Sequence, residues 1–433
     1  MTSSRATVPL AELCEAIVDC EHKTAPKVDV GYPSIRTTDI KNGRIDFESA
    51  NRVSEQTYRA WTQRLEPEPG DLVLAREAPV GEVGIIPDGI RPCLGQRTVL
   101  LRPDRARVVP RYLLYTLVSR AIRHAMTSRA EGCTVPHLNV ADIRELPVPS
   151  PPPLPEQERV ATILGALDDK IELNRRMNRT LESIARAIFK SWFVDFDPVR
   201  KKMEGGEVGL PPDLAALFPD SLENSDLGEI PKGWEMGTLA DFSTLNPGSW
   251  TKETRPTHIN YVDLSNTKLG RVESVTTYAR DDAPSRAQRV LRSGDTIVGT
   301  VRPGNGSYAL VSDDGLTGST GFAVLRPMIT ACAQYVYLAA TAAGRLEALS
   351  RLADGGAYPA VRPEVVAATE IIRPSNEVLA AFSRVAGPLL GKLARNERQS
   401  RTLAVLRDAL LPKLISGELR ISHATWILPG VDA

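Results

Sequence analysis

No run of eighteen or more apolar residues occurs in the 433 residues of this chain, so a conventional membrane-spanning helix is not expected. The opening segment MTSSRATVPLAEL carries no basic-then-apolar leader, and the two absences together point to a cytoplasmic protein with no membrane partner. Cysteine is scarce: Cys14, Cys20, Cys93, Cys133 and Cys332 are odd in number and lack paired metal-ligand spacing. Reduced thiols are therefore expected rather than a disulfide framework, and no metal site. An excess of one charge is also missing, since 53 basic residues balance 53 acidic ones. That balance gives no overall electrostatic footprint for nucleic acid. It does hide a bias, because 41 of the 53 basic residues are arginine, the residue that binds phosphates and guanine edges in bidentate fashion. An Arg-rich composition also arises from GC-rich coding, so the bias alone decides nothing.

The motifs of catalysis are missing as well. GPLLGKL (Gly387–Leu393) has neither the spacing nor the Ser/Thr of a phosphate-cradling loop, and the GxG of RPGNGSYAL (Arg302–Leu310) reads as a turn. NPGSW (Asn246–Trp250) lacks the second proline of the loop with which amino-methyltransferases grip a base. DCEHK (Asp19–Lys23) has nuclease-like residue types but no supporting ligands. No Ser/His/Asp or Cys/His arrangement stands out. The expectation is a binding protein without catalytic residues.

What is present is a duplication. GDLVLAR (Gly70–Arg76) returns as GDTIVGTVR (Gly294–Arg302), and VLLRP (Val99–Pro103) returns as AVLRP (Ala323–Pro327), both shifted by 224 residues. RYLLYTL faces QYVYLAA, GCTVPHLN faces GGAYPAVR, and ELPVPSPP faces EIIRPSNE, in the same order. Each copy consists of short β-like runs broken by Gly, Pro and Asp, with a helical pattern over Arg111–Met126. A repeat this long implies two whole domains rather than a solenoid.

After each copy comes a long helical pattern. The first has a seam of Val160, Leu164, Leu167, Ile171, Asn174, Asn178, Leu181, Ala185, Ile188 and Trp192, stepping by four and three as a coiled coil does. The second runs through Phe382, Ala386, Leu389, Leu393, Asn396, Ser400, Leu403, Arg407, Leu410 and Leu414, with Gly417 as its stop. Amides at Asn174, Asn178 and Asn396, with Ser400, are expected to fix the register of a helix pair, because a slipped pairing would face them with leucines. The competing reading is that each helix caps only its own domain. The expected fold is α+β: two similar domains of curled, mostly antiparallel sheet plus helices, separated by a pair of long antiparallel coiled-coil helices with pseudo-two-fold symmetry. Its boundaries are a first domain over 1–153, a central helix over 154–200, a linker over 201–230, a second domain over 231–375, a C-terminal helix over 376–419 and a tail over 420–433.

The run LPVPSPPPLPEQERVATILGALDDKIELNRRMNRTLESIARAIFKSWFVDFDPVRKKMEGG (Leu146–Gly206) closely resembles the central region of the specificity subunits of type I restriction–modification systems. The resemblance extends over nearly the whole chain, because two target-recognition domains, each followed by a long helix, are that family's architecture. It implies a non-catalytic DNA-specificity subunit in which each domain reads one half of a bipartite sequence in double-stranded DNA and the helices set the gap. Two modification subunits, adenine N6 methyltransferases that use S-adenosylmethionine, would dock on it. Restriction subunits would add ATP- and Mg-dependent translocation and cleavage, so this chain itself would hold no cofactor. A self-contained DNA methyltransferase and a coiled-coil scaffold that never touches DNA are the alternatives.

On this reading the DNA-contacting candidates in the first copy are Arg36, Thr37, Thr38, Arg76, Gln96, Arg97, Thr134 and His137. In the second they are Asn260, Tyr261, Arg302, Asn305, Ser319, Thr320, Tyr358 and Arg362. The aromatic block Phe189, Trp192, Phe193 and Phe196 is the candidate anchor for a partner subunit.

Overall fold

A computed structural model of the chain describes residues 6–130, 136–225, 228–356 and 359–420. The chain divides into two compact units. The first joins everything up to Leu173 with the residues from Gln399 onward, and the second is Asn174–Arg398.

In the first unit, β1 (Cys14–Asp19), β2 (Leu72–Ala75), β3 (Val83–Ile85) and β4 (Thr98–Pro103) form an antiparallel sheet in the order β1-β4-β2-β3. All four residues of LVLA in β2 are buried because both faces of the sheet are covered. Leu72 and Leu74 enter a core with Leu10, Tyr112 and Leu164, whereas Val73 and Ala75 enter another with Ile35, Ile86 and Leu100. Behind the second core lies a smaller sheet of Asn51–Val53, Tyr32–Ile35 and Cys93–Leu94, whose last two strands run parallel.

The second unit repeats this plan. β5 (Ser243–Leu245), β6 (Thr296–Gly299), β7 (Tyr308–Leu310) and β8 (Phe322–Pro327) pair in the order β5-β8-β6-β7. Val298 and Leu325 go to one core, and Ile297 and Val324 to another. An outer sheet again contains one parallel pair, His258–Val262 with Leu316–Ser319. One ion pair braces both copies: Arg102 forks onto Asp71 at 3.1 and 2.8 Å, and Arg326 onto Asp295 at 2.8 and 2.7 Å. The 224-residue offset separates both partners, so the sequence repeat is a structural one.

The expected helix over Arg111–Met126 is two helices, Pro110–Val118 and Arg120–Arg129. They part at Ser119, whose hydroxyl turns back to the Thr116 carbonyl at 2.7 Å.

Two long helices are the other feature, α1 (Leu154–Phe193) and α2 (Asn376–Ser416). At 1.5 Å per residue each is about 60 Å long. α2 stops where Gly417 takes a left-handed φ of 76°. α1 ends at Phe193, short of the expected 200. Phe196 then turns through a φ of 56° into a separate helix, Asp197–Met203.

Each unit contains half of each helix. Val160, Ala161 and Leu164 of α1 share the first unit's core with Leu414 and Ile415 of α2. Ala185, Phe189, Trp192 and Phe193 share the second unit's core with Phe382, Ala386 and Leu390. Numbers rise along one helix as they fall along the other, so the pairing is antiparallel, and neither helix caps only its own domain. The seam differs from expectation in three places: Asp168 is buried where Leu167 was expected, Phe189 where Ile188 was, and Leu390 where Leu389 was. The segment over 201–230 is no loose linker, since Phe218 and Ile230 are buried at 3% and 6% exposure. The tail beyond residue 420 lies outside the described residues.

Candidate nucleic-acid interface

Three loops of the first unit converge at one end of its main sheet. Arg76, directly after β2, donates its N–H to the Arg97 carbonyl at 2.8 Å and accepts from the Leu138 N–H at 3.1 Å. Glu77 bridges to His137. Arg97 is exposed, has a φ of 68°, and sets its Nε 3.0 Å from Glu77. Gln96 donates to the His22 carbonyl at 3.1 Å, so His22, Glu77, Gln96 and Arg97 line one shallow pocket. Thr38 is exposed, next to Thr37, and Thr134 lies outside the described residues.

Three candidates of this copy are structural residues. Arg76 holds Leu138's carbonyl at 2.8 Å and both Asp19 oxygens at 2.9 and 3.0 Å, leaving its side chain 13% exposed. Arg36 wraps onto Asp39 and the Ser49 carbonyl. Thr37 is buried and donates to Ala78's carbonyl at 3.2 Å. Asp19, Cys20 and His22 do bring ligand atoms within 4.8 Å of one another, but the Asp19 carboxylate is already neutralised by Arg76. Burial holds the Cys20 thiol above its usual range, so it is a poor thiolate ligand.

The equivalent loops meet in the second unit. Thr300 donates to the Gly321 carbonyl at 2.8 Å and accepts from Val361 at 2.9 Å, reproducing the two bonds of Arg76. Thr300, not Arg302, is therefore the counterpart of Arg76. Arg302 stands two residues further out, exposed, with a φ of 47°, and donates its N–H to Pro359's carbonyl at 2.7 Å. Asn305 and Arg362 are exposed on the same loops, and Thr320 is half-buried, bonded through its N–H to the Arg286 carbonyl. Asn260 is exposed on the outer sheet, where it accepts from Thr277 at 2.8 Å. Ser319 and Tyr261 are buried, at 0% and 4% exposure, which removes them as readers. Tyr358 lies outside the described residues.

The helix seam carries the expected amides. Asn396 donates to the Asn178 side chain at 2.8 Å, Asn174 donates to the Asn396 carbonyl at 3.3 Å, and Asn178 donates to the Leu393 carbonyl at 3.3 Å. Ser400 is half-buried. A second polar layer lies in the first unit around Asp168, which accepts from Tyr115 and from Arg407 of α2, both at 2.8 Å. Arg44 reaches the Asp168 carbonyl and pairs with Glu172 at 2.6 Å. Phe189, Trp192, Phe193 and Phe196 are 3–7% exposed and stack among Phe382, Tyr335 and Trp234. They are core residues of the second unit, which corrects their expected role as partner anchors.

Arg44 was missed in the sequence, though a signal existed: KNGRI (Lys41–Ile45) returns as KLGRV (Lys268–Val272). Both are tight hairpins with two left-handed residues, Asn42 and Gly43 in one and Leu269 and Gly270 in the other. The second tip lies on Tyr337 and Glu182 of α1: a Cβ added to Gly270 would sit 2.8 Å from the Tyr337 hydroxyl and 3.1 Å from Glu182.

Duplicated loop clusters on braced sheets, each unit joined to paired helices, are an architecture suited to recognition. Residues 6–183 match the family model described as the type I restriction modification DNA specificity domain. The chain is 26% identical over 400 residues to the type I restriction enzyme MjaIX specificity subunit of Methanocaldococcus jannaschii, covering 90% of this chain and 87% of that one. It is 25% identical over 370 residues to the HindI specificity subunit of Haemophilus influenzae, covering 74% and 80%. The fold matches the crystal structure of the type I restriction–modification S subunit from M. genitalium with a TM-score of 0.54 at 16% identity, over 96% and 97% of the two chains. Residues 6–183 thus match a DNA specificity domain of type I restriction–modification systems, and most of the chain is similar to specificity subunits of such systems. No helix among the described residues is long and apolar enough to cross a membrane.

Proposed function

We propose that each unit reads one half of a bipartite DNA site and that α1 and α2 act as the spacer that sets the gap. The supporting observation is the repetition of the Arg76 bonds at Thr300, which gives the chain two copies of one loop cluster in one framework. Two readers carried by one chain fit a site made of two half-sites at a fixed spacing. The chain brings no chemistry of its own. Two modification subunits would transfer methyl groups from S-adenosylmethionine to adenine N6, and restriction subunits would supply ATP- and Mg-dependent cleavage. Readout falls first to the exposed Arg97, Arg302, Asn305 and Arg362 and to the half-buried His137, because their loops converge and their types make directional contacts with base edges.

The test is to express the chain with its modification subunit and map methylated adenines across a genome. A split motif with one constant gap is the expected outcome, with no methyl transfer by the chain alone. A single uninterrupted motif, or transfer without the partner, would overturn the proposal.

A further inference from the structure

The arginines around the two loop clusters are treated differently. In the first unit Arg36, Arg76 and Arg97 each face a carboxylate. In the second, Arg255 and Arg289 have no carboxylate within ion-pair distance among the described residues, yet both are half-buried. The Nε of each is enclosed and makes no hydrogen bond. Arg289 keeps one weak bond, to the Ser249 hydroxyl at 3.3 Å, and Arg255 one to the Ala287 carbonyl at 3.1 Å.

The local architecture makes room for this. Arg289 lies on the outer strand Ala287–Leu291, opposite Gly318 on one side and bridged to Ser249 on the other, so its neighbours across the ladder are small. A bulge between Ala287 and Arg289 reorients the strand at that point. Thr320 bonds to Arg286 of the same segment, which joins this strand to the Thr300–Gly321 loop cluster. The acid whose charge favours the Arg289 cation is Glu364, exposed on the helix that Arg362 caps, and it does not reach ion-pair distance. Burial alone therefore pulls the Arg289 guanidinium below its usual range. A cation removed from water without a counter-charge is a cost that the fold would shed if nothing depended on it.

We infer that Arg289, with Arg255, is an anion seat of the second recognition domain that receives a backbone phosphate of double-stranded DNA. The inference rests on the reading of this chain as a DNA-specificity subunit and adds a positioning contact that carries no sequence information. A phosphate would supply the counter-charge that Arg289 lacks and accept from its terminal N–H groups, and such contacts orient a reader on the duplex before any base is read.

The experiment uses the complex of the chain with its modification subunit and compares Arg289→Met and Arg289→Lys with the parent. Binding to a duplex carrying the bipartite site, and to one carrying an unrelated sequence, is followed by fluorescence anisotropy from 50 to 200 mM salt. Arg289→Met is expected to weaken binding about tenfold on both duplexes and to flatten the salt slope by about one, while Arg289→Lys keeps the slope. Removal of an uncompensated buried cation should at the same time leave the melting temperature of the free chain unchanged or raised, which a purely structural arginine would not do. Unchanged affinity in Arg289→Met, loss confined to the cognate duplex, or a lowered melting temperature would each overturn the inference. Failure of the parent complex to discriminate the two duplexes would instead refute the underlying reading of the chain.

Discussion

The two units have the same strand order and the same braces, but they anchor to the long helices by different chemistry. In the first, Asp168 of α1 receives Tyr115 from the domain and Arg407 from α2, so one carboxylate joins the domain to both helices. In the second, Glu182 and its partner Arg186 both belong to α1, one turn apart, and Arg186 stacks between Tyr308 and Tyr337 while bonding to Thr341's carbonyl at 2.8 Å. There the cross-helix contact is neutral, Asn178 with Asn396. The lesson is that a duplicated fold preserves sheet registers closely and lets the polar contacts under the sheets diverge. Arginines near the loop clusters differ too: Arg36, Arg76 and Arg97 face acids in the first unit, whereas Arg255 and Arg289 have none within ion-pair distance among the described residues of the second.

Removing Arg407 breaks this comparison most directly. Arg407→Ala leaves Asp168, a carboxylate whose side chain is 11% exposed, with Tyr115 as its remaining side-chain donor. Breaking one side of such a pair costs about 2–4 kcal/mol, toward the lower end because Arg407 is itself 20% exposed. Denaturant unfolding should show this as destabilisation of the first unit. Arg186→Ala should cost less, about 1–2 kcal/mol, because Glu182 keeps the Tyr337 hydroxyl and lies nearer to water. Equal costs for the two would mean the anchors are interchangeable.

A smaller effect sharpens the contrast between the loop clusters. Arg76→Ala removes the clamp on Asp19 and on the Leu138 carbonyl and should cost about 1.5–3 kcal/mol of stability. Methylation mapping should then show reduced activity with the recognised bases of both halves intact. Relaxed readout at a single base position would show instead that Arg76 leaves Asp19 to contact DNA.

The duplication, the helix pair and its amide layer were legible because they follow from periodicity, which survives without side-chain detail. GDLVLA and GDTIVG bury the same alternation, and Asn178 meets Asn396 on the expected seam. Asp168 was not legible, since a charged residue beside Leu167 reads as the solvent face of a heptad until Tyr115 and Arg407 arrive from distant sequence. The site residues divided for a similar reason. Residue type suggests what Arg76 or Ser319 can bind, but only the fold reveals that Asp19 already occupies one and that the other is buried. Pairing Arg76 with Arg302 failed because the strand register places Thr300 at the Arg76 position, and the second copy's next arginine lies two residues further along the loop.

The smallest expected effect comes from the hairpin tips, where the copies differ by one residue in the same conformation. Asn42 takes a φ of 52° and Leu269 a φ of 45°, each followed by a left-handed glycine. Asparagine tolerates this region, while a leucine there brings its Cβ against the backbone at a cost of about 1–2 kcal/mol. Leu269 recovers part of that by covering Gly306, where a Cβ would come within 2.7 Å of its side chain, yet it remains 55% exposed. Leu269→Asn should therefore stabilise the second unit by about 0.5–1 kcal/mol, visible as a small rise in melting temperature. Asn42→Leu should destabilise the first unit by a similar or larger amount, because Asn42's N–H is held by Glu82 at 2.8 Å and the turn has little freedom to relax. If Leu269→Asn instead lowers stability, the contact over Gly306 outweighs the backbone strain, and that tip is held by packing rather than by turn chemistry.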